Sequence, residues 1–223
     1  YKNVDLQQAQ IDFEQAVKID PSTWKTWHTL IDFYSQQANS EKALETALEA
    51  NRLYPQDDYL QIDLARAFIG NERNAEAADI LEGLQVLPSE GASDVHSLFV
   101  RCHVNLGLEN IQAGNFELAI QHLEKAKTYP ENLGSGRPYE PDQRMQDYLI
   151  AYSYGKMGNR DKAEEIKKAI LDYTLEHLSA QGDNQYFGGM ALVDFGERNQ
   201  GRELMRKNRL AEDFLQKVRT IVR

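Results

Sequence analysis

Four residues, Ala9, Phe13, Ala16 and Pro21, return 34 residues later as Ala43, Ala47, Ala50 and Pro55. A small residue followed at +4, +7 and +12 by this set describes a helix with one close-packing face and a proline-defined end. Ahead of the second copy, Trp27, Leu30 and Tyr34 stand at i, i+3 and i+7, the bulky face of a preceding helix. A helix pair repeated at a fixed period buries its apolar faces only by stacking on its neighbours. The expected fold class is therefore all-α, an α-α superhelix. A chain that is 41% hydrophobic yet 27% charged suits such a stack, in which each pair buries only the faces that meet the next.

Carried along the chain, the pattern gives a partial repeat at 1–21 (second helix only) and repeats at 22–57 and 58–91. It continues with a repeat at 92–130, an inserted loop at 131–143, a repeat at 144–176 and a degenerate repeat with a C-terminal capping helix at 177–223. Ser22 or Thr23 is expected to cap the first helix of the second repeat, and Asn39-Ser40 the next. In the third repeat Leu64, Ala65 and Phe68 precede the turn Gly70-Asn71, and Ala77, Leu81 and Leu84 lead to Pro88. The interval from Ala77 to Ala119 is 42 residues and from Ala119 to Ala163 is 44. The first excess is expected to lengthen one helix, from about Ser93 to Ala113; the second is the stretch PENLGSGRPYEPDQ, from Pro130 to Gln143. One long terminal helix is expected from about Asn199 to Val222, with an apolar face of Leu204, Ala211, Leu215, Val218 and Val222. From residue 201 onward seven basic residues face three acidic ones, +4, which leaves −14 on the rest of a chain of net charge −10.

The W-x2-L-x3-Y and A-x3-A-x2-A spacing, with the proline that follows, resembles the tetratricopeptide repeat over most of the chain. That resemblance implies a solenoid that serves as a non-catalytic scaffold, binding a protein or peptide in the groove lined by first helices. A narrower resemblance rests on YPENLGSGRP (Tyr129 to Pro138) ahead of DYLIAYSYGKMGNRDKA. It is similar to the C-terminal repeat array of large bacterial proteins that carry a β-rich domain of unknown function upstream, a group associated with carbohydrate metabolism. It implies that this chain is a piece of something longer, since it opens inside the second helix of a repeat. The partner would then be a protein, a peptide or the missing upstream domain. The alternative is an accessory module of a carbohydrate-active enzyme, whose loop and groove contact sugar.

Composition narrows the other classes. A net charge of −10 and a pI near 5.0 oppose nucleic-acid binding, which needs a basic stripe. No apolar run is long enough to span a membrane. The single cysteine, Cys102, lies in LFVRCHVNL and is expected to be a buried structural thiol. Five histidines form no metal-binding spacing: His96 and His103 are two helical turns apart, and His122 and His177 stand alone. GSGRP lacks the Lys-Ser/Thr ending of a phosphate loop. Neither a cofactor nor catalysis is expected, and Glu164 with Lys167 or Lys168 reads as a surface ion pair.

With the repeats placed in one frame, His28, Asp32, Tyr59, Asp63, Arg66, Arg101, Asn105, Tyr148, Tyr152 and Tyr186 face the inner surface. Carboxylate, guanidinium, amide and phenol together suit a peptide or a sugar; an ordinary solvated face is the alternative. Lys25, His28, Asp32 and Asp63 occupy the positions where some tetratricopeptide domains place a Lys/Asn carboxylate clamp, so that clamp is not reproduced. In the insertion, Asn132 can close an Asx-turn, Gly134 and Gly136 permit positive φ, and Arg137 can donate to an anion. The loop either contacts a ligand or another domain, or is a structural connector.

Overall fold

The computed structural model describes residues 5–87 and 92–222, and among these every regular element is helical. The order is α1 (Leu6–Ile19), α2 (Trp24–Gln36), α3 (Ser40–Leu53), α4 (Asp58–Gly70), α5 (Asn74–Gly83), α6 (Ala92–Gln112) and α7 (Phe116–Lys125). A 3₁₀ turn at Glu131–Leu133 is followed by α8 (Arg144–Lys156), α9 (Arg160–Glu176), α10 (Asp183–Asp194), α11 (Arg198–Lys207) and α12 (Glu212–Val222). The fold is of the all-α superhelix class. Tyr1, the boundary residues Pro88 and Ser89, and the side chain of Val222 lie outside the described residues. The chain forms two compact units, one up to Cys102 with Tyr129–Gly136, the other His103–Thr128 with the chain from Arg137 onward; the division falls within α6.

In unit 1, α1 to α5 pack each on the next, and α2 also meets α4. The repeat signature explains why. Trp27, Leu30 and Tyr34 are buried on α2, and Ala43, Ala47 and Ala50 on α3 are at most 2% exposed, so small side chains let the two helices close up. The proline that ends the signature has a role of its own: the Pro21 carbonyl accepts from Trp27 Nε1 (3.1 Å) and from the Tyr54 hydroxyl. Tyr34 donates its hydroxyl to Glu14 of α1 at 2.6 Å, tying the first helix to the second. Cys102 is buried, its thiol 3.2 Å from the Phe99 carbonyl.

Capping follows the sequence in part. Asn39 accepts from Lys42 N at the start of α3, as expected. Thr23 is the N-cap residue of α2 but makes no capping bond; Asp20 takes the hydroxyls of Ser22 and Thr23 instead. The expected side-chain cap on α2 is therefore not made, since both hydroxyls are turned back to Asp20.

Each first helix ends in the same way. The N–H groups of Asn39, Arg73, Asn115, Asn159 and Glu197 donate to the carbonyls of Tyr34, Phe68, Asn110, Tyr154 and Leu192, at 2.8–2.9 Å. The residue before each donor is left-handed: Ala38 (φ 54°), Glu72 (φ 59°), Gly114, Gly158 and Gly196. This is the closing geometry that glycine favours. In the third repeat the left-handed residue is thus Glu72, one step after the expected turn, since Gly70 still ends α4 and Asn71 follows it. A Cβ in this conformation costs about 1 kcal/mol, and Ala38 is exposed, so its methyl packs on little. Ala38→Gly is expected to raise the thermal midpoint by ~2–4 °C, read by circular dichroism at 222 nm; a decrease would contradict this account of the corner.

In unit 2, α7 packs on α8, α8 on α9, α9 on α10 and α10 on α11, with α8 also against α10. Gly107 lies against Leu123, since a Cβ there would sit 2.7 Å from Leu123 Cγ, consistent with the Leu106-Gly107 pair read from the sequence. The single terminal helix expected from Asn199 to Val222 is in fact two helices, α11 and α12, separated at Asn208–Ala211. Asn208 turns the chain by donating to the Leu204 carbonyl and accepting from Gly182 N, and Leu210 is buried. Ala211 is exposed at this break and belongs to no apolar helix face.

Candidate functional site

Unit 1 brings four of the expected surface residues together on α2 and α4. Asp63 is only 2% exposed, and both its oxygens are engaged: Oδ2 accepts from His28 Nδ1 at 2.6 Å and Oδ1 from Arg66 Nη1 at 3.0 Å. His28 and Arg66 side chains are each 41% exposed. Burial pushes the Asp63 carboxyl up from its usual value, while the bond from His28 and the charge of Arg66 oppose that rise. With Nδ1 against Asp63, His28 turns Nε2 away from the carboxyl, and Arg66 keeps most of its fork beyond the Nη1 contact.

Beside this trio, Tyr59 stacks on Trp24 with centroids 4.7 Å apart and rings 6° from parallel, and the Trp24 and His28 rings are 6.0 Å apart. Tyr59 is 60% exposed, an uncommon position for so large a ring. Asp32 is exposed on α2 and accepts from Gln36. Trp24 is not among the groove residues expected from the sequence. The signal that could have found it is its place one turn before His28, on the same face.

The remaining expected residues are placed otherwise. Arg101 is exposed on α6 in unit 1. In unit 2, Asn105 is half-buried on α6. Tyr148 is 3% exposed, so it does not stand on an open face; its hydroxyl donates to Asp194, and burial first, then Asp194, pushes the phenol well above its usual value. Asp194 also takes Lys167 Nζ at 2.5 Å, so Lys167 pairs across to α10 rather than with Glu164. Tyr152 is half-buried and donates to the Ile221 carbonyl of α12 at 2.5 Å. Tyr186 is half-buried, edge-on to Phe187 at 6.0 Å. His122 does not stand alone: its Nδ1 lies 3.3 Å from that of His103. Among the described residues no cluster of three or more metal-ligating groups occurs.

Part of the inserted loop is a structural connector. Asn132 closes no Asx-turn; its amide donates to the carbonyls of Leu81 (3.2 Å) and Leu84 (2.7 Å), and its own carbonyl accepts from Val86 N at 2.7 Å. It thereby satisfies carbonyls that the end of α5 leaves open. Gly134 (φ 66°) passes so close that a Cβ would meet the Val86 carbonyl oxygen at 2.8 Å. Leu133 is buried and Tyr129 stacks on His96 at 4.2 Å. Asn132 and Gly134 are therefore structural, while Gly136 and Arg137 are exposed.

The largest buried polar group was not foreseen. Arg144, 3% exposed, forms a two-pronged pair with Asp142 (Nε–Oδ1 2.9 Å, Nη2–Oδ2 2.7 Å). Its Nη1 donates to Thr174 Oγ1 (3.1 Å) and Gln185 Oε1 (2.8 Å), and its guanidinium carbon lies 5.0 Å from the Tyr173 ring centroid. With these partners filled, Arg144 joins α8, α9 and α10 rather than offering a ligand site.

Paired helices that share one left-handed corner make this a helical-repeat array of the all-α superhelix class. Residues 100–132 match a tetratricopeptide repeat family model. Among solved structures, the chain is similar to a tetratricopeptide repeat protein from Parabacteroides merdae (TM-score 0.58, 13% identity, 97% of this chain and 79% of that one). It is similar also to MamA protein (TM-score 0.55, 19% identity, 78% and 86%) and to the type IV pilus biogenesis factor PilW (TM-score 0.51, 17% identity, 98% and 91%). A curated relative, a protein CTR9 homolog of Arabidopsis thaliana, is 25% identical over 122 residues, which cover 55% of this chain but only 11% of that protein. Among the described residues no helix is long and apolar enough to cross a membrane.

Proposed function

We propose that this chain is a non-catalytic interaction scaffold and that its docking face in unit 1 is the surface of α2 and α4. The observation that carries the reading is the buried Asp63 holding His28 and Arg66 at 2.6 and 3.0 Å beside the Trp24–Tyr59 stack. Fixing two donors on one buried carboxylate lowers the entropy lost when they bind, and an exposed aromatic pair supplies apolar area beside them. The partner chemistry is a peptide or protein loop that presents a carbonyl or carboxylate next to an apolar side chain. It comes from another protein or from a domain upstream in the same chain, the context that the YPENLGSGRP resemblance implies. Arg137, exposed in the loop, is a further candidate contact.

The test is selection of peptides from a displayed random library on the full chain, followed by anisotropy titration of a selected peptide. Arg66→Ala and Tyr59→Ala should each weaken binding at least tenfold, while Tyr186→Ala leaves it unchanged. Selected peptides indifferent to both unit 1 substitutions would sink the proposal. The exposed Tyr59 ring, flat against Trp24, also favours a second reading, a sugar platform in an accessory module. Binding of an oligosaccharide that Tyr59→Ala abolishes, with no selected peptide on this face, would replace the first reading by the second.

A further inference from the structure

The last described helix, α12, reaches α8: the Tyr152 hydroxyl donates to the Ile221 carbonyl. Ile221 lies in the last described turn of α12. Leu215, Val218 and Ile221, each three residues after the last, are 5%, 2% and 6% exposed, so one stripe of α12 is covered. The seating is incomplete, since Thr220 and Ile221 share a cavity of about 630 Å³ with Tyr152, Lys156, Ile111 and Phe116. The root of the segment is fixed by Asn208, which accepts from Gly182 N, so the chain is anchored just before α12 begins.

We propose that α12 is an internal ligand: it occupies a helix-binding surface on α8, and a partner's amphipathic helix with aliphatic residues at i, i+3 and i+6 takes that surface when α12 is displaced. The Tyr152 hydroxyl already holds the backbone of one helix. The partner must reproduce the stripe of α12 and present a main-chain carbonyl to Tyr152. This surface lies in unit 2 and does not depend on the α2–α4 site.

The experiment uses the full chain carrying Leu215→Asp with Val218→Asp, which removes the covered stripe, and a fluorescein-labelled synthetic peptide of residues 208–223 as the probe. The double variant should bind the peptide saturably and at least tenfold more tightly than the unaltered chain. A peptide with the same two aspartates should not bind, and adding Tyr152→Phe to the double variant should weaken binding several-fold. A double variant that is helical and monomeric yet binds no better than the unaltered chain would overturn the proposal, making α12 a fixed cap. So would an unaltered chain that sediments as a dimer and becomes monomeric on Leu215→Asp, which would place α12 on a second copy. Should the double variant fail to fold, hydrogen exchange on the unaltered chain decides: amides of 212–222 must exchange at least tenfold faster than those of α10 and α11, and exchange in step with those helices overturns the proposal.

Discussion

Gly201→Val should lower the thermal midpoint by roughly 6–12 °C, the equivalent of about 3 kcal/mol in a chain of this size. A Cβ at position 201 would stand 2.5 Å from the Gly189 carbonyl oxygen and 2.8 Å from Val193 Cγ2. The approach is reciprocal, since a Cβ at Gly189 would meet the Gly201 carbonyl oxygen at 2.8 Å. A flexible side chain can swing away from an added methyl, but a helix carbonyl cannot, so α10 and α11 must separate. Separation exposes Leu192 and Leu204, which this contact helps to bury. Circular dichroism melts check the figure. A midpoint within 1 °C of the unaltered chain would mean that the two helices do not touch through these glycines.

Arg144→Met should cost about 3 kcal/mol, at the lower end of what breaking a buried ion pair costs. The substitution keeps much of the side-chain volume but strands the Gln185 carbonyl oxygen and one lone pair of Thr174, both fully buried residues. The Asp142 side chain is 30% exposed and recovers water, which is why the lower end applies. Arg144→Lys should restore only a minor share, because a single ammonium cannot reproduce a fork that meets Asp142 with two nitrogens and Thr174 and Gln185 with a third. Urea titration of the three chains measures this, and full rescue by lysine would contradict the two-pronged geometry.

The alternation of bulky and small helices was readable because it follows from one physical need, close approach of paired helices, expressed at a fixed spacing. Ala43, Ala47 and Ala50 are buried for that reason, and the lengthened α6 falls where the interval from Ala77 to Ala119 exceeds the period. The break between α11 and α12 was not readable, since no glycine or proline marks residues 208–211. It comes from tertiary partners of Asn208 and from burial of Leu210. Tyr148 was misplaced for a related cause: a helical frame gives a direction, yet Asp194 and Lys167 of neighbouring helices close over that direction. Nothing in the sequence around Arg144 marks it as buried; its burial comes from Thr174 and Gln185, 30 and 41 residues further along the chain. In unit 1 the same frame put His28, Asp63 and Arg66 on one surface, and the structure supplies their contacts.

The central claim, that the α2–α4 surface is where a partner docks, is tested most directly by hydrogen exchange on the full chain with and without a library-selected peptide. The account predicts slowed exchange concentrated in residues 24–36 and 58–70, lost in the Arg66→Ala chain. Slowed exchange confined to other helices, with residues 24–36 and 58–70 unchanged, would contradict it.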